Sequence, residues 1–98
     1  MRTEKARVAL VTGANRGLGF ETARQLLAKG LVVVLAGRDA AAIERARRTL
    51  RDEDQRRAIT AQMDVTSVET ITAAQRALIE QVGSVDILVN NAAVTDTT

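Results

Sequence analysis

The sequence predicts a doubly wound α/β layer, a parallel sheet built in the order β-α-β-α-β-α-β, and three observations carry that prediction. Continuous apolar runs at residues 7–12 (RVALVT) and 31–36 (LVVVLA) suit strands covered on both faces. Segments of helical period alternate with the strand signals without exception. The connections are short, with no internal repeat and no linker. Parallel strands joined by right-handed helical crossovers make such a layer, and the expected strand order is 3-2-1-4.

Each element has its own reason. The first strand, 7–12, runs straight into a glycine-rich stretch, and residues 17–29 follow with Phe20, Ala23 and Leu27 at helical spacing and Leu26 beside them. Lys29-Gly30 closes that helix, a cation followed by glycine. After the second strand, Asp39 is placed to cap a helix over roughly 40–53 whose inner stripe is Ile43, Ala46 and Leu50. Residues 58–64 alternate, with Ile59, Ala61 and Met63 on one side, as an edge strand with thinner cover would. Thr66 and Glu69 have capping-box spacing, and the helix they open carries Val68, Ile71, Leu78 and Val82 on one stripe before Gly83. Residues 85–90 (VDILVN) make the last strand.

Composition narrows the function. With 46% apolar and 27% charged residues, the 98-residue chain reads as one small globular domain. Fourteen basic against twelve acidic residues leave a net charge of +2, and Phe20 is the single aromatic, a poor basis for stacking on bases. Six arginines between residues 45 and 57 alternate with Glu44, Asp52, Glu53 and Asp54, the pattern of a solvated helix and turn. Nucleic acid is therefore not an expected partner. Neither Cys nor His occurs, which excludes a disulfide framework, a thiol nucleophile and the usual neutral-pH base. No apolar run approaches the roughly 20 residues of a membrane span, and residues 1–7 enter the first strand without an apolar leader. The expected setting is cytoplasmic, with no membrane partner.

The stretch "VTGANRGLGFE" at 11–21 concentrates the chemistry. A strand turning directly into a helix presents free N–H groups and the positive end of the helix dipole to an anion. Gly13 permits the tight turn, Gly17 lets a pyrophosphate reach the backbone, and Gly19 lets the helix pack on the strand. The spacing Gly13-x-x-x-Gly17-x-Gly19 departs from the commonest dinucleotide fingerprint, and a purely structural turn is the alternative. At the end of the second strand, Gly37-Arg38-Asp39 offers a guanidinium fork where an NAD-binding strand carries a carboxylate. Arg16 is within reach of the same phosphate, so NADP is preferred over NAD. Against this stand two other readings: Arg38 paired with Asp39 while Arg16 is solvated, or Asp39 itself as the ribose acid.

These residues resemble the short-chain dehydrogenase/reductase family, most closely its NADPH-dependent carbonyl-reductase-like members. The resemblance rests on Thr12-Gly13-Ala14-Asn15-Arg16-Gly17-Leu18-Gly19, on Asp64-Val65 after the third strand, and on Asp86-Ile87-Leu88-Val89-Asn90-Asn91-Ala92 along the fourth. It covers essentially the whole chain in order and implies a Rossmann-type fold. It also implies that Asp64 accepts a hydrogen bond from the adenine, that the Val65 backbone borders the ring, and that Asn90 and Ala92 lie beneath the ribose. Asn90 would tie the central strands together as well. Leu18 belongs to the binding turn, and Asn15 supports it through side-chain-to-backbone bonds. The bland readings are a strand-ending Asp64 and an ordinary Asn90-Asn91 turn. Ala93 stands where the family usually has Gly.

The family places its catalytic Asn, Ser and Tyr-x-x-x-Lys after the fourth strand, and this sequence contains no Tyr. No catalytic residue or metal ligand is assigned. Residues 1–98 are expected to be the N-terminal, NADP(H)-binding portion of an oxidoreductase that moves hydride between nicotinamide and a small carbonyl or alcohol substrate. The catalytic half and the oligomer contacts would lie in the remainder, and the 98 residues alone would be inactive. The alternatives are a stand-alone, non-catalytic nucleotide-binding module and a non-functional truncated remnant.

Overall fold

Every residue of the strand Val8–Thr12 (β1) is buried, the signature of a strand with a neighbour at each edge and a layer on each face. In the computed structural model, which describes residues 6–64 and 66–91, those neighbours are Val32–Gly37 (β2) and Ile87–Val89 (β4). Ala58–Gln62 (β3) adds to the far side of β2, giving one parallel sheet in the order β3-β2-β1-β4. The register sets Thr12 opposite Ala36, Val11 opposite Val89 and Gly37 opposite Gln62, so the carboxyl ends of the strands finish along one rim. This is the Rossmann-type doubly wound arrangement with the expected strand order.

Alternation along the strands divides the core in two. Val11, Val33 and Leu35 face the helices Gly17–Ala28 (α1) and Ala40–Arg47 (α2), where Ala23, Leu27 and Ile43 are fully or almost fully buried. Val8, Leu10, Val34 and Ala36 face the opposite way, against Ala74 and Leu78 of the helix Val68–Val82 (α4). Ile59, Ala61 and Met63 pack on that second cluster, as their alternation predicts. Beyond β1, β4 has no neighbour among the described residues, and Leu88 is 65% exposed there.

Three expectations are corrected. The helix anticipated over 40–53 is two, α2 and the short Asp52–Gln55 (α3). The Thr49 hydroxyl donates to the Ala46 carbonyl at 2.7 Å, and the Gln55 amide folds back to the carbonyls of Leu50 (2.8 Å) and Arg48 (3.3 Å). Acceptors freed by the break are thus satisfied without a continuous helix. Next, α4 is capped by Ser67, whose hydroxyl accepts from the Thr70 N–H, and not by Thr66. Val68 follows from this start: it is 78% exposed, and the inner stripe runs Ile71, Ala74, Leu78, Val82 instead.

The third correction concerns the arginine-rich stretch. Glu44 does pair with Arg47 and Arg48 on a helix surface, but Asp54 is only 3% exposed. Its carboxylate accepts from Arg57 at 3.0 Å and Arg51 at 3.3 Å. Arg57 also donates to the carbonyls of Leu27 (2.6 Å) and Leu31 (3.0 Å), closing the end of α1. Arg57 is a strut between α1, α3 and β3, not a solvated charge.

Arg57→Met should lower stability by about 2–3 kcal/mol, because it leaves a buried carboxylate with one partner and takes a charged donor from the carbonyls of Leu31 and Leu27, the second of which keeps the Gly30 N–H. Arg56→Met, on the exposed neighbour, should stay within about 0.5 kcal/mol. Urea midpoints with an unchanged m-value would check both. The hydrogen bonds from Arg47 and Arg48 hold the Glu44 carboxyl at about 2, below its ordinary 4.5. A depressed folded-state pKa gives stability that is full above 4.5 and is lost as pH falls toward 2. Glu44→Gln should therefore reduce the drop in melting temperature between those two pH values.

Candidate functional site

The rim at the carboxyl ends of β1, β2, β3 and β4 gathers the residues singled out in the sequence. At the end of β1 the chain reverses through Gly13, with φ at +59°, and enters α1 through Gly17, with φ at +61°. A side chain at Gly17 would meet nothing within 4 Å, so the backbone there is open to a visitor. At Gly19 the reverse holds. An added methyl would overlap the Gly13 carbonyl oxygen and come within 2.7 Å of the Asn91 amide nitrogen. The three glycines thus divide into two that shape and expose the turn and one that seats the helix.

The start of α1 differs from those of α2 and α4. Asp39 accepts from the Ala42 N–H at 3.1 Å and Ser67 from the Thr70 N–H at 3.3 Å. Arg16, in the capping position of α1, makes no side-chain cap, and no acid lies in the first turn. Leu18 is 74% exposed beside it. The amides and positive dipole of α1 therefore face the rim unmasked, a donor set suited to a phosphate or pyrophosphate. The Ala14 N–H donates to the Ala36 carbonyl at 3.1 Å and fastens the turn to β2.

The ends of β2 and β3 are joined by two further bonds, from the Met63 N–H to the Gly37 carbonyl (2.7 Å) and from the Gln62 amide to the Arg38 carbonyl (3.1 Å). A methyl at Gly37 would lie 3.3 Å from Ile43 Cδ1 and 3.8 Å from the Asn15 side-chain oxygen. The space anticipated at Gly37 is thus bordered by Ile43, and Asn15 shares this corner. Asp39 is committed to its helix cap, and among the described residues neither Arg16 nor Arg38 has a salt-bridge partner. The Arg38–Asp39 pair is not formed.

Asp64 follows β3. Its Oδ1 accepts from the Thr66 hydroxyl (2.7 Å) and N–H (2.9 Å), a local turn that explains why Thr66 does not cap α4. Those bonds from Thr66, helped by the Arg38 charge, hold its carboxyl below the usual range. Thr70 braces the loop, accepting from the Asp64 N–H at 3.0 Å and donating to its carbonyl at 2.9 Å. At the end of β4, the Thr12 hydroxyl donates to the Asn90 side-chain oxygen at 3.3 Å, so Asn90 does link the central strands. Val65 and Ala92 lie outside the described residues.

Two contributors were not anticipated in their roles. Asn91 donates to the Gly13 carbonyl at 3.4 Å, the oxygen against which Gly19 packs, so β4 holds the glycine turn from behind. Gln62 carries no motif, and an alternating strand gives no signal for a bond made to a neighbouring loop.

A family model described as short chain dehydrogenase matches residues 7–98. The (−)-isopiperitenone reductase of Mentha piperita is 43% identical over 94 residues, 93% of this chain and 30% of that protein. The solved menthone neomenthol reductase of Mentha piperita superposes with a TM-score of 0.85 at 39% identity, covering 90% of this chain and 32% of that one. An actinorhodin polyketide ketoreductase solved with NADPH gives a TM-score of 0.82 at 41% identity, over 93% and 34% of the two chains. The chain spans about a third of the length of the relatives it matches.

Gly19→Ala should cost about 1–3 kcal/mol through overpacking. Adding Asn91→Ala should not restore it, because the Gly13 carbonyl is backbone and remains. Gly17→Ala, in open space but at positive φ, should cost about 1–2 kcal/mol. Urea unfolding of the three variants distinguishes close packing from backbone conformation.

Proposed function

Since the chain belongs to the short-chain dehydrogenase family, we propose that residues 1–98 are the N-terminal dinucleotide-binding part of an NADP(H)-dependent oxidoreductase. The complete protein would transfer hydride between the nicotinamide and a carbonyl or alcohol substrate, in the cytoplasm. The observation that carries this reading is the start of α1 without a side-chain cap beneath an open Gly17, with Arg16 and Arg38 on the same rim and in no ion pair among the described residues. Relatives named as reductases, and a ketoreductase solved with NADPH, support the nucleotide and the reaction class.

Each residue has a separate task. The backbone at Gly13, Gly17, Leu18 and Gly19 takes the pyrophosphate, with Asn15, whose side chain makes no hydrogen bond among the described residues, beside the turn. Arg16 and Arg38 take the 2′-phosphate through charge-assisted bonds. The free oxygen of the Asp64 carboxylate receives the adenine amino group, and the Val65 backbone borders the ring. Asn90 and Ala92 underlie the ribose. Bound there, the dinucleotide supplies or accepts the hydride. These residues bind and orient it, and none is given a part in proton transfer. Among the described residues no helix is long and apolar enough to cross a membrane, and no acidic cluster is arranged to hold a metal.

Binding titrations of the intact protein should find NADPH tighter than NADH. Arg38→Asp should weaken NADPH about tenfold or more, by loss of a charged contact and gain of repulsion, while sparing or improving NADH. Unchanged affinities for both would refute the assignment.

A further inference from the structure

We propose that Gln62 is a positioning residue for the cofactor's 2′-phosphate, acting through Arg38; the proposal rests on the NADP reading above. Arg38 is the first residue after β2, before the Asp39 cap of α2. Its side chain makes no ion pair among the described residues, though its charge acts on the Asp64 carboxylate, and the point from which that side chain starts is set by its backbone. Two bonds hold that backbone against β3: the Met63 N–H to the Gly37 carbonyl at 2.7 Å and the Gln62 amide to the Arg38 carbonyl at 3.1 Å.

The first bond extends the sheet ladder and is available to any residue but proline at position 63. The second depends on side-chain chemistry, because it needs an N–H donor long enough to reach from β3 to the loop. Gln62 is exposed, on an edge strand with one sheet neighbour, so it is not required for the core. What its bond does is fix the peptide that follows Arg38, and with it the start of the guanidinium's reach. A guanidinium fork gains its advantage over a point charge only when its approach is pre-set. Loss of the Gln62 donor should therefore act on the phosphorylated dinucleotide and leave its unphosphorylated counterpart alone.

The test is equilibrium titration of NADPH and NADH into the intact protein carrying Gln62→Met, Arg38→Ala or both, with thermal melts alongside. Methionine keeps the length and removes the donor. The expected result is about fivefold weaker NADPH binding by Gln62→Met, the loss of one hydrogen bond's worth of positioning. NADH affinity should change less than twofold, and the melting temperature should hold. In the Arg38→Ala background, Gln62→Met should have no further effect on NADPH. Equal weakening of both dinucleotides would mean that Gln62 merely supports the sheet end, and would overturn the proposal. So would a full additional loss in the Arg38→Ala background. If Arg38→Ala alone leaves the NADPH to NADH ratio unchanged, the phosphate assignment itself fails, and the role of Gln62 falls with it.

Discussion

The contact between Gly19 and the Gly13 carbonyl sets the geometry on which the rest of the molecule depends. It brings the first turn of α1 onto the end of β1 at a separation that no side chain at position 19 would allow. From that seat α1 runs back along the sheet, placing Ala23 and Leu27 in the core against Val11, Val33 and Leu35. The same seat points the free amides of α1 at the rim where the strands end. The packing of α1 and the exposure of its first amides are therefore two consequences of one close approach. Asn91 reinforces it from β4, so the turn is held by a neighbouring strand as well as by its own glycines.

The rim is stiffened by bonds between elements far apart in the chain. Thr12 reaches the end of β4, Ala14 reaches β2, and Gln62 and Met63 hold the end of β2 from β3. A site spread over four strand ends gains its precision from such cross-links, because each loop alone would pay the full entropy of being ordered. Polar side chains at the rim are thereby sorted. Asp39, Ser67 and Thr70 are engaged in local caps and loop bonds, whereas Arg16 and Arg38 make no ion pair among the described residues.

Much of the fold was legible because its causes are local or periodic. Apolar continuity marks β1 and β2, alternation marks β3, and the positive-φ turn needs glycine wherever it occurs. The described residues of the family's three motifs come together along one rim of the sheet. Other features depended on which of several nearby polar groups pair with one another, and hydrophobic period does not decide that. Position 68 looks apolar and helical, yet it faces outward because the chain enters α4 at Ser67. The helix over 40–53 breaks because Gln55 returns to bond the carbonyls of Arg48 and Leu50. Asp54, read as a surface charge, is buried because Arg57 arrives to neutralise it.

By itself the sequence determined the order of the strands, the parallel sheet and the glycine turn, since these follow from backbone permission and hydrophobic period. Tertiary structure decided which polar groups are consumed and which are left free. Hydrogen bonding is short-ranged and saturable: the Gly13 carbonyl taken by Asn91, or the Arg38 carbonyl taken by Gln62, depends on positions to within a few tenths of an ångström. No spacing along the chain encodes that distance. It exists only once β3 has docked on β2 and α1 has closed over Gly13.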